Sequence, residues 1–197
     1  DCLSAGAPCA TVAAGLALLR DGYPDRLHLK RGDAWRESLG TVPGKSEWFL
    51  SGRGRGEELV VTSYGTTGAR PLLQLEPLQN CLQVHAQARD RSHVAIVGLH
   101  LRSYRRNFRD TANYERPPQR GADCIQLIGT NKGKIENWLL EDLRVDFFGV
   151  AVSALDGDAD LATIKQLVML MDGAGEVFLD DRPTGLRADW EGPAELF

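Results

Sequence analysis

No stretch of this 197-residue chain approaches the ~18 uninterrupted apolar residues that a membrane-spanning helix needs. The longest apolar runs, such as residues 166–171, are far too short, so no helical membrane span is expected. Positive charge is also in short supply: 23 Lys and Arg stand against 27 Asp and Glu, a formal charge of −4. Nucleic acid is therefore not an expected partner, because counterion release needs Lys and Arg clustered over a whole contact face. The sequence has no Cys-x-x-Cys and no paired His spacing, which leaves no zinc signature. Neither an initiating Met nor a signal peptide opens the chain, so its natural start is expected upstream of Asp1.

What the chain does contain is ordinary for one globular domain: 43% hydrophobic and 25% charged residues, with enough length to bury a core unaided by metal. Four cysteines, Cys2, Cys9, Cys81 and Cys124, form an even set that permits two disulfides in an oxidising compartment. Four buried thiols are the other reading. Cys2 and Cys9 flank a small-residue turn where a bridge would close a tight loop.

Residues 11–20 carry the clearest helical pattern, with Val12, Leu16 and Leu19 on one face, Thr11 able to cap the first turn, and Gly22 and Pro24 as stops. Beyond them the texture changes to short β-type runs divided by Gly, Pro, Asn and Asp. These runs are residues 26–29, 58–63, 72–75, 81–85, 93–97 and 123–128.

An internal repeat organises the runs. Cys81-Leu-Gln-Val84 corresponds to Cys124-Ile-Gln-Leu127 at an offset of 43, and residues 93–101 correspond to residues 137–145 at an offset of 44. Each unit, residues 81–104 and 124–148, has about 25 residues and room for three short strands, within the size of one β-solenoid repeat. The extra length falls between the units, at residues 105–123. Equivalent inward residues of such a fold stack at the ~4.8 Å strand spacing, which makes Cys81 and Cys124 neighbours. That spacing suits either a disulfide or a stacked pair of thiols.

The opening segment, Asp1-Cys-Leu-Ser-Ala-Gly-Ala-Pro-Cys-Ala-Thr-Val12, resembles that of the pectate-lyase-like β-helix superfamily and of related phage tail proteins. In those proteins a D-G-L-S-x-x-x-P-x-x-T-I motif leads into a capping helix; here Cys2 stands where Gly is usual. Residues 29–37, 61–65, 69–71 and 135–142 resemble early coils of the same superfamily, so the likeness covers about residues 1–155. It implies an all-β fold, a right-handed parallel β-helix (solenoid) with a short N-terminal capping helix, in a secreted protein at or outside the cell surface. Residues 1–155 would be the cap and coils. Residues 156–197 would form a C-terminal cap or tail of the same domain, from either the helical spacing of Leu161, Ile164, Leu167, Val168 and Met171 or a strand at 176–180. Neither the Asn-Thr-Asp, Asp-Asp and Gly-His-Gly set of polygalacturonases nor the Asp-Pro-His-Glu of alginate epimerases is present, so the resemblance assigns no catalytic residue. Two and a half clear units make a short solenoid beside its enzymatic relatives, which leaves open both a short solenoid and a piece of a longer one.

Chemistry concentrates at residues 100–120, which hold six arginines, Arg102, Arg105, Arg106, Arg109, Arg116 and Arg120, against Asp110 and Glu115. Arginine forks bind carboxylates and sulfates in pairs of hydrogen bonds, and Tyr104, Phe108 and Tyr114 offer rings for sugar stacking. The expected substrate-binding set is Arg102, Tyr104, Arg105, Arg106, Arg109 and Tyr114, and the expected ligand an anionic polysaccharide. The competing reading is a solvated loop whose arginines pair with acids of adjacent units. For lyase chemistry, His85, His93, Lys132, Lys134 and Arg144 are candidate bases, with Glu141, Asp142 and Asp146 as polar partners or calcium ligands. Calcium is the one cofactor considered. Asp156, Asp158 and Asp160 alternate like a calcium loop but lack its downstream acid, and read as a turn. Gly52-Arg-Gly-Arg-Gly56 has no helix after it to bind phosphate, and Arg31-Gly-Asp33 reads as a turn before an integrin motif. The functional expectation is an extracellular domain that binds polysaccharide and cleaves it by lyase or hydrolase chemistry; the alternative is a non-catalytic structural or adhesive surface or tail-fibre protein.

Overall fold

A computed structural model describes residues 2–76, 78–86, 89–107, 111–114, 122–129, 133–156, 166–170 and 176–179. The chain begins with the Cys2–Cys9 disulfide, which closes the expected tight loop. Helix α1 follows at Val12–Leu16, and the Thr11 hydroxyl accepts a hydrogen bond from the Ala14 amide at 3.1 Å. The Glu37 carboxylate accepts a second orphan amide of this first turn, that of Ala13, at 2.8 Å. The helix is half as long as its periodicity suggests. From Gly15 onward the backbone tightens into i to i−3 bonds, Leu18 to Gly15 and Leu19 to Leu16, which end the α-helical ladder.

The remainder is all-β. Strands β1 (Arg26–Lys30), β2 (Ala34–Trp35), β3 (Glu47–Trp48), β4 (Leu59–Tyr64), β5 (Leu72–Leu75), β6 (Leu82–Ala86), β7 (Arg91–Val97), β8 (His100–Ser103), β9 (Asp123–Gly129), β10 (Ile135–Asp146), β11 (Val150–Asp156), β12 (Gln166–Leu170) and β13 (Glu176–Leu179) follow in order. Every pairing between them is parallel. One sheet runs β1-β4-β7-β10-β8-β5-β2, with β12 against β10; the other runs β13-β11-β9-β6-β3. The long β10 serves two ladders, pairing β7 with residues 135–141 and β8 with residues 144–146. The sequence offsets reappear as register: Leu82 lies opposite Ile125, and Val94 opposite Trp138.

Alternation explains which side is core. Leu59, Val94 and Trp138 stack in one inward column, Val61, Ile96 and Leu140 in the next, and Leu73, Leu101 and Val145 in a third, all almost fully buried. Trp48 meets Trp138 edge-on with ring centroids 6.1 Å apart, and the Trp138 indole donates to the Arg91 carbonyl at 2.9 Å. Each such buried side chain stabilises by about 1.5–3 kcal/mol, so the stacked interior supplies the main favourable term. Left-handed residues recur at equivalent positions: His93 and Asn137 both have positive φ, as do Gly98 and Asp142. Asp tolerates this region because its short polar side chain is satisfied locally; here Asp142 pairs with Arg70.

Several expectations are corrected or sharpened by the structure. Residues 100–103, which lie in the arginine-rich stretch and at the end of the first repeat unit, are the third strand of that unit, β8, paired on both sides by β5 and β10. Gln166–Leu170, within the residues read above as helical in spacing, is a strand, because β10 offers it an edge. Cys81 and Cys124, expected to be neighbours as either a disulfide or a stacked pair of thiols, are buried side by side with Sγ atoms 2.8 Å apart. Among the described residues, no helix is long and apolar enough to cross a membrane.

Candidate anion-binding site

Parallel register places two strand segments of like pattern side by side. His100 lies opposite Arg144 and Arg102 opposite Asp146, while Leu101 and Val145 between them point into the core. Four polar side chains thus share the outward face of β8 and β10. The Asp146 carboxylate is their centre: it accepts from His100 Nε2 at 2.7 Å, Arg102 Nη2 at 3.1 Å and Arg144 Nε at 3.2 Å. Asp146 is 2% exposed and His100 8%, whereas the Arg102 and Arg144 side chains keep 27% and 38% of their surface in solvent. Both arginine side chains therefore reach solvent while their Nε groups hold the acid.

The electrostatics follow from burial. Desolvation alone would raise the Asp146 carboxyl, but hydrogen bonds from His100, Arg144 and Arg102 and their charges outweigh it, and the group sits below the ordinary carboxylate range. His100 is lowered from its ordinary value near 6.5, first because burial penalises the imidazolium, with Asp146 opposing and the two arginines adding to the fall. At neutral pH a neutral imidazole donating from Nε2 to an ionised Asp146 keeps Nδ1 as an acceptor.

A second cluster adjoins the first through the chain. Tyr104, Arg105 and Arg106 form a single 3₁₀ turn directly after β8. The Tyr104 hydroxyl donates to Glu76 Oε1 at 2.8 Å and accepts from Arg105 Nε at 2.9 Å. Arg105 also pairs with Glu76 at 3.3 Å, and the Arg36 guanidinium lies 4.6 Å over the Tyr104 ring. Arg106 Nη1 is buried without a hydrogen-bond partner. Among the described residues, Arg102 and Arg144 thus converge on Asp146 and Arg105 on Glu76, with Arg36 over the Tyr104 ring, on a chain of net charge −4.

Of the residues expected to bind substrate, Arg102, Tyr104, Arg105 and Arg106 come together here, and Tyr114 is exposed on the following segment. Tyr104 is not the open sugar platform expected of it: it is 9% exposed and Arg36 covers a ring face. Arg109 lies outside the described residues, as do Phe108, Arg116, Arg120 and Lys132. The other candidates are elsewhere. His85 contacts Gln83 at 3.2 Å beside a Gln83–Gln126 amide pair, His93 occupies a left-handed bulge with Nδ1 unpartnered, and Lys134 pairs with Glu136. Asp142 is engaged by Arg70. Among the described residues no group of three or more His, Cys, Asp or Glu is placed to hold a metal ion. Asp158 and Asp160 lie outside them.

Sequence reasoning overlooked His100 and the Asp146-centred arrangement. The signal was present in the repeat, since an offset of 44 carries His100 onto Arg144 and Arg102 onto Asp146. No protein-family model, curated protein or solved structure matches this chain.

Proposed function

We propose that this chain forms a secreted right-handed parallel β-helix of the pectate-lyase-like kind, and that the outward face of β8 and β10 with the turn after β8 binds an anionic polysaccharide. The observation that carries the reading is the clustering of part-exposed arginines on one face of an acidic protein, Arg102 and Arg144 at Asp146 and Arg105 at Glu76. Carboxylate or sulfate groups repeated along a sugar chain suit guanidinium donors spaced along a sheet face. The β-helix part rests on units of three strands that fall into parallel ladders, and the secreted part on the Cys2–Cys9 bridge, since such bonds persist in oxidising compartments.

Cleavage requires an accessible base to remove the proton α to a uronate carboxylate. His100 has the acceptor nitrogen for it, but at 8% exposure it favours binding over catalysis. One observation supports the second reading, a non-catalytic structural or adhesive element: Arg102 and Arg144 both hold Asp146, and Arg36 covers Tyr104, so the face is largely paired with itself, as a stiff spacer needs.

The deciding experiment is retention on immobilised polygalacturonate and heparin against a neutral glucan, at low and high salt, for the wild type and an Arg105→Ala/Arg106→Ala variant. Salt-sensitive retention on the anionic polymers, lost in the variant with its circular dichroism unchanged, supports the binding reading. Equal behaviour of variant and wild type removes it. Ultraviolet absorbance of unsaturated products during the same incubation separates a lyase from a binder.

A further inference from the structure

Cys81 immediately precedes β6 and Cys124 is the second residue of β9, and the two strands are parallel neighbours in register. The Cys81 amide donates to the Cys124 carbonyl at 2.8 Å, so the two backbones are as close as a sheet allows. Both side chains are fully buried in an inward column that continues to Leu39 on one side and Ala151 on the other. Neighbouring strands lie about 4.8 Å apart, inside the Cα separation that a disulfide accepts. The Sγ atoms approach to 2.8 Å, closer than two non-bonded sulfurs settle and within a small side-chain rotation of a bond.

We infer that Cys81 and Cys124 are a disulfide-forming pair that fastens adjacent strand units together at the root of the Arg-rich segment. Two observations independent of that contact point the same way. The chain already carries a bridge at Cys2–Cys9, so it matures where a disulfide oxidant acts. The two cysteines are 43 residues apart, so a bond between them closes a long loop, and closing a long loop removes much entropy from the unfolded chain.

The chemistry balances as an exchange. The two thiols give up two protons and two electrons to a disulfide of the glutathione class, the Sγ–Sγ bond forms, and the oxidant leaves as two thiols. Burial pushes the Cys124 thiol well above its ordinary range, with Cys81 adding to the rise, so the reactive thiolate is scarce once the strands have packed. Oxidation belongs to folding, as β6 and β9 dock, and the finished bond is shielded from reductant.

The test uses refolding of the reduced, denatured chain in a glutathione redox buffer. Alkylation in denaturant followed by intact mass is expected to find no thiol adducts; two adducts overturn the inference. A Cys2→Ser/Cys9→Ser variant isolates the pair. Limited trypsin cleavage within residues 105–120 of that variant should leave the halves joined on a gel until reductant is added, and separation without reductant refutes the bond. For a loop of this size the oxidised variant should melt roughly 10 °C above its reduced form; identical midpoints refute the fastening role.

Discussion

Asp146→Ala removes the acid on which three cationic or donor side chains converge, and the structure allows its cost to be worked out. The carboxylate is 2% exposed and accepts from His100, Arg102 and Arg144. A hydrogen bond to a charged group is worth about 1.5–3 kcal/mol when its partner cannot find water. His100, 8% exposed, meets that condition. Arg102 and Arg144, with side chains 27% and 38% exposed, recover most of their hydration, and each contributes about 0.5–1 kcal/mol. The total is about 2.5–5 kcal/mol, which for a chain of this size lowers the melting temperature by roughly 5–20 °C. Thermal unfolding followed by circular dichroism at pH 7 reads this directly. Asp142→Ala is the control, because Asp142 keeps 41% of its side chain exposed in its pairing with Arg70 and should cost less than about 1 kcal/mol. Equal shifts in the two variants would refute the claim that Asp146 is a structural centre of the face.

Four further outcomes follow from the contacts described above. His100 is depressed in the folded protein, so the unfolded chain binds its proton more readily; stability should be full above pH 6.5 and fall as pH drops toward the lowered folded value, and a His100→Asn variant should lose this dependence in urea midpoints measured from pH 5 to 7.5. Below pH 4 the depressed carboxyls of Asp146, Asp25 and Glu58 should add a second loss, by the same sign, as each is protonated. Trp138→Ala should destabilise by about 3–5 kcal/mol, since it empties a site 1% exposed and removes the edge-on contact to Trp48; a change under about 1 kcal/mol in denaturant unfolding would contradict the packing. Tyr104→Phe deletes only the hydroxyl that bridges Glu76 and Arg105 and should cost about 1 kcal/mol, with a larger loss if Arg105 also leaves the Tyr104 ring.

Much of the fold was legible because burial leaves a periodic trace. Alternation marked β4, β5, β6, β7 and β9 within one or two residues of their observed ends. The two-residue strands β2 and β3 left none, being too short for a period of two to repeat. Strand β8 was legible only through the repeat, as the third strand of its unit, because His100 and Arg102 hide the alternation that Leu101 and Ser103 give it. The site was half visible. Arg102, Tyr104 and Arg105 stood out by composition, but their acids, Asp146 and Glu76, lie 44 and 28 residues away.

The sequence by itself determined the inward face: apolar residues at alternate positions, repeated at offsets of 43 and 44, can bury themselves only by stacking in register. It equally determined that Cys81 and Cys124 would be neighbours. Outward residues carry no such constraint, since water accepts any polar side chain and no pattern states which will meet. Stacking the units decided that Asp146 would be enclosed by His100, Arg102 and Arg144, and that Arg36 would lie over Tyr104. Those contacts are set by register and by the desolvation they share, which exist only once the strands are packed.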